Sequence, residues 1–161
     1  LIKTFINLFM SLWPISRILL TEILADRITD RFVTRLVWER LDYQIEEGLD
    51  APSNAGPKTP IEWRKKFPKS PEVITQRTAS VQLTRSIPNQ YKQLLKEYLH
   101  FEGYQINELI PRRVRRAIIV NWLLAWLFSC GDELPEKGPL PKLYEPPLDP
   151  VGGHPGDPFI E

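Results

Sequence analysis

RTASVQLTRSIPNQYKQLLKEYLHFEGYQINELIPRRVRRAIIVNWLLAW, residues 77–126, is the stretch whose periodicity decides the fold. Tyr91, Leu94, Leu95, Tyr98 and Leu99 recur at helical spacing and form one apolar stripe, which predicts a helix over Pro88–Leu99. Pro88 suits its first turn, and Gly103 is the expected C-terminal glycine. Pro111 opens a second helix, running to about Ser129. From Ala117 to Phe128 its only polar residue is Asn121, so it is expected to be central and buried. About 12 apolar residues are too few to span a bilayer. Before these helices, Ala79, Val81 and Leu83 alternate with polar residues. That short period of two has no partner strand, and it reads as extended or weakly helical.

Working towards the N-terminus, Ser70-Pro71 predicts a short helix at Glu72–Gln76, and Thr59-Pro60 another at Ile61–Lys66. Gly48, Pro52, Gly56 and Pro57 make residues 43–60 a surface loop. Val33, Val37 and Leu41 predict a helix over Asp30–Leu41, with an N-cap at Thr29–Asp30. Ile15–Arg27 reads as a helix that packs beside it. The expected fold is mainly α: a small bundle of about four principal helices plus two short ones, with at most a minimal β element.

Three segments follow. Residues 1–14 form an apolar lead, 15–130 the helical domain, and 131–161 a tail expected to be extended or disordered. The tail holds 8 of the 16 prolines and 7 acids, which leaves little apolar surface to bury. In the lead, Leu1–Phe9 read as an addition ahead of a natural start near Met10. The rival reading is peripheral membrane contact through residues 1–13, since the lead is too short to span.

Net charge is +1, but unevenly spread. Residues 58–116 carry 13 basic and 5 acidic groups, while residues 117–161 carry 2 and 7. Cys130 is the sole cysteine, which fits a reducing compartment and leaves no intramolecular disulfide. One Cys and two distant His argue against a zinc site by composition, and no metal or other cofactor is expected. A Gly-rich phosphate loop, a serine elbow and paired carboxylates in an apolar setting are all missing from the sequence. The expectation is a protein without catalytic residues.

Val37-Trp38, Glu62-Trp63-Arg64, Leu83-Thr84-Arg85-Ser86-Ile87-Pro88, Lys92-Gln93-Leu94-Leu95-Lys96-Glu97, Pro111-Arg112-Arg113 and Asn121-Trp122-Leu123-Leu124 occur in an order that resembles a cyanobacterial family known only as domain of unknown function 1823. The resemblance spans roughly residues 15–128. It implies a cytoplasmic location in a photosynthetic prokaryote and carries no activity, cofactor or catalytic residue. The lead before Met10 and the Pro-rich tail depart from it.

The candidate site is a basic face. Arg112, Arg113, Arg115 and Arg116 crowd the first turns of the last helix, where the helix dipole disfavours cations by a few tenths of a kcal/mol each. Two compensations stay open: acids of the same chain, with Glu97, Glu102 and Glu108 near in sequence, or an anionic partner. Arg85, Lys92, Lys96 and the Arg64-Lys65-Lys66 run could extend the face. The expected role is that of an interaction or accessory protein with an unknown protein partner. The alternative is nucleic-acid or polyanion binding through this face, and a small enzyme comes third.

Overall fold

A computed structural model describes residues 12–45 and 52–161. The apolar lead and its expected membrane contact therefore lie almost wholly outside the described residues. Six α-helices occur among them: α1 (Arg17–Leu24), α2 (Asp30–Arg40), α3 (Ile61–Lys66), α4 (Arg77–Ser86), α5 (Leu94–Leu99) and α6 (Pro111–Ser129). Two short 3₁₀ turns, Asn89–Tyr91 and Ile106–Glu108, complete them. The described residues hold no β-strand, only isolated antiparallel bridges at Tyr43–Ala55 and Asn54–Lys69. The fold is mainly α, as the periodicities require. None of the described helices is long and apolar enough to cross a membrane.

The chain divides into two compact units. Among the described residues, one comprises Leu12, Trp13 and Thr34–Pro71, and the other Pro14–Val33 with Glu72–Glu161. In the first, Leu36, Val37, Leu41, Tyr43 and Trp63 are buried. The Tyr43 hydroxyl donates to the Phe67 carbonyl at 2.7 Å, and burial pushes its pKa up to about 12. Gly56 is obligatory here, because a Cβ would stand 2.3 Å from the Asp42 carbonyl oxygen. The exposed cations Lys58, Arg64, Lys65, Lys66 and Lys69 all lie in this unit.

In the second unit α6 packs against α1, α4 and α5. Ile119, Val120, Leu123 and Leu124 of α6 are sealed from solvent, as its composition demands. Asn121 serves backbone groups: its amide donates to the Tyr91 carbonyl at 2.9 Å, and its oxygen accepts from the Leu95 N–H at 3.2 Å. It thus ties the 3₁₀ turn and the start of α5 to α6. The single helix expected at Pro88–Leu99 is in fact this 3₁₀ turn followed by α5, broken at Lys92–Gln93. His100, not Gly103, takes the left-handed conformation that ends α5 (φ 54°).

Two other expectations change. Residues 79–84 are fully helical, within α4. Ala79, Leu83 and Ile87 lie four apart and are buried, and that spacing prevails over the short alternation. Glu72–Gln76 is a turn instead of a helix. Val73, Ile74 and Thr75 are β-branched and pay a helix penalty, and their burial is achieved without one.

The segment after Cys130 carries no helix, yet it is docked along the second unit. Arg17 N–H donates to the Pro135 carbonyl at 2.8 Å, Tyr144 N–H to Arg27 at 2.9 Å, and Glu161 N–H to Thr75 at 2.8 Å. Of the two expected forms, extended or disordered, these contacts describe the extended one. They are main-chain hydrogen bonds, so low apolar content did not prevent them. Deleting residues 144–161 is expected to cost at least about 2 kcal/mol, since buried donors on the domain lose their partners. Calorimetry should then show a melting temperature lower by roughly 5 °C or more; an unchanged value would mean the tail contributes nothing.

A buried arginine–aspartate cluster and an apolar groove

α1 ends at Leu24, and Asp26 follows in the left-handed region (φ 60°), a conformation that Asp tolerates better than most residues. Four residues later Asp30 begins α2. These two carboxylates meet Arg112 and Arg116, which are also four apart and share one face of α6. Arg112 grips Asp26 with two parallel bonds of 2.7 Å and reaches Asp30 at 2.8 Å. Arg116 binds Asp30 at 2.7 Å and the Ile23 carbonyl at 2.9 Å. Arg112 is 1% exposed and Arg116 2%. Burial works against the Arg112 charge, but the hydrogen bonds and charges of Asp26 and Asp30 outweigh it and raise its pKa.

The tail closes over this cluster. The Asp157 carboxylate accepts from Asp30 N–H at 3.1 Å and Arg31 N–H at 3.3 Å, while Thr29 Oγ1 accepts from Phe32 N–H. Three N-terminal donors of α2 are thereby satisfied, two of them by a residue about 127 positions away. Arg31 Nε donates to the Gly156 carbonyl at 2.6 Å, and Arg112 to that of Pro150 at 3.2 Å. Gly153 (φ 79°) sits where a Cβ would come within 2.9 Å of Arg112 Nε. The His154 ring is buried, its Nδ1 3.7 Å from Asp157 and 4.0 Å from Asp26, and neither ring nitrogen has a hydrogen-bond partner.

Arg115 points elsewhere. It donates to the Ile74 and Thr75 carbonyls at 2.7 and 3.1 Å, groups released because that turn is not a helix. Burial and the nearby Arg77 charge lower its pKa. Close by in sequence, burial lifts the Glu72 carboxyl above the ordinary range, and Arg31 opposes the shift. A raised carboxyl pKa stabilises the fold at low pH and loses that contribution as pH rises. Glu72→Gln is therefore expected to raise the melting temperature at pH 7 and to leave it nearly unchanged at pH 3. A lowered value at pH 7 would show that the contact with Arg31 dominates.

The expected basic face thus does not form. Arg112, Arg115 and Arg116 are buried and engaged; Asp26 and Asp30, not the acids near in sequence, compensate Arg112 and Arg116, while Arg115 bonds backbone carbonyls. Arg113 is half-buried, and Arg85, Lys92 and Lys96 remain exposed. Lys92 and Lys96 border something the sequence did not disclose, an open groove of about 390 Å³. Leu95, Phe101, Tyr104, Leu109, Val114 and Ile118 supply its apolar lining. Ile106 and Leu109, in the loop between α5 and α6, are strongly exposed. No group of His, Cys, Asp and Glu among the described residues could hold a metal ion.

A family model described as "Domain of unknown function (DUF1823)" matches residues 14–128. A protein solved by solution NMR is similar at 47% identity and a TM-score of 0.59, over 70% of this chain and 92% of that one. No curated protein matches the chain.

Proposed function

The chain belongs to the family of domain of unknown function 1823, and within that frame we propose that it is a non-enzymatic interaction protein of the cyanobacterial cytoplasm. The observation that carries this reading is the groove: an apolar trough beside α6 with two exposed lysines, Lys92 and Lys96, in its wall. A concave apolar groove of this size can seat one anchoring side chain of a partner. The lysines favour a partner segment whose apolar anchor is flanked by acidic residues.

The test is peptide display against the immobilised protein. Selected peptides should pair an aromatic or aliphatic anchor with Asp or Glu. Lys92→Glu with Lys96→Glu, both at exposed positions, should shift the selection towards basic flanks while the circular dichroism spectrum stays the same. Selection of the same peptides by both forms would refute the reading.

A second reading, polyanion binding, draws on one different observation. Between residues 58 and 69 the exposed cations Lys58, Arg64, Lys65, Lys66 and Lys69 face a single acid, Glu62. Retention on heparin should fall steeply with salt and weaken when Lys65 and Lys66 become Glu. Salt-independent retention, or none, would exclude it.

A further inference from the structure

We infer that the second unit carries a receptor site for an extended, aspartate-bearing polypeptide segment, and that residues 144–161 are its occupant in cis. The contacts are those of a binding cleft more than of a core. The domain reads the tail's main chain: Arg31 takes the Gly156 carbonyl, Arg112 that of Pro150, and Arg115 approaches that of Glu161 at 3.4 Å. In the other direction, the Arg27 and Thr75 carbonyls accept from the tail's N–H groups at Tyr144 and Glu161. One side chain supplies the charge: Asp157, on the first two N–H groups of α2. Gly153 allows the chain to pass close to Arg112, and His154 follows it into the cluster.

The tail commits little apolar surface to this contact. Leu148, Val151 and Phe159 point into solvent. A segment held mainly through carbonyls, N–H groups and one carboxylate, with Leu148, Val151 and Phe159 left outside and Tyr144 and Ile160 only half-buried, is bound as ligands are bound. The receptor residues all fall within residues 14–128, which the family model matches, whereas the occupant lies beyond them. This chain thus carries, outside the family-matched segment, a ligand for a site that lies inside it. A free segment of the same chemistry, extended and with an Asp four residues after a Gly, would compete for the site.

The test keeps the whole chain. A protease recognition sequence is inserted at Gly131–Glu133, which is exposed, and cut after folding. A fluorescent peptide of residues 144–161 is then added and its anisotropy followed. It should exchange into the cut protein and be displaced by unlabelled peptide, while the uncut protein, whose site is filled in cis, should not take it up. The Asp157→Asn peptide should bind about tenfold more weakly or worse, since it loses a charge-assisted bond to helix N–H groups. The Gly153→Ala peptide should bind more weakly too. Failure of the peptide to exchange into a cut protein that stays folded would overturn the proposal. So would equal binding of the Asn peptide. Unfolding of the cut chain would also overturn it, because a segment the domain cannot fold without is core and not ligand.

Discussion

Asp30→Ala is expected to lower stability by about 3–5 kcal/mol, because it leaves Arg112 and Arg116 buried with a lost partner each. Asp30 is 2% exposed and holds both guanidinium groups within 2.8 Å. Removing it strands charge in a medium that cannot solvate it. Arg116→Met should cost less, since Asp30 keeps Arg112 and the space stays filled. Urea denaturation of both variants checks the ranking. Added salt should change the Asp30→Ala loss little, because buried pairs are weakly screened. A loss below about 1 kcal/mol would place this pairing among surface ion pairs and contradict its burial.

Trp122→Ala is expected to cost about 3–5 kcal/mol, and Trp126→Ala distinctly less. Both lie on α6, one turn apart, but Trp122 is buried while Trp126 is half-buried. Trp122 also donates from its indole N–H to Ser86 Oγ at 3.0 Å, so truncation removes a hydrogen bond as well as volume. Equal losses in the two variants, read from denaturation midpoints with unchanged slopes, would contradict this assignment.

The helices were legible to the degree that their signals were local. Pro111 at the first turn and an unbroken apolar run set α6 to the residue, and Pro60 set the start of α3. The period of α4 was hidden because Ala79–Leu83 fits both two and four. The break before α5 was hidden because the side chain that bonds the backbone on both sides of it, Asn121, stands about 26 residues on. The cluster is the harder case. Cations at the start of α6 did signal missing anions, but the anions stand up to 86 residues away. Two pairs four apart with opposite sign, Asp26/Asp30 and Arg112/Arg116, were the available clue. Without an alignment, nothing in the chain said that they meet. The docking of the tail was invisible for another reason: hydropathy measures apolar burial, and this contact is made of carbonyls.

That last point bears on how the tail can change over time. A guanidinium that binds a backbone oxygen is indifferent to the side chain attached to the same residue. Leu148, Val151 and Phe159, exposed and untouched, are therefore free to drift. Gly153 and Asp157 are fixed, one by the space beside Arg112 and the other by the helix it caps. A tail that has lost nearly all similarity in its letters can still hold its place, so long as those two positions and the path of its backbone persist.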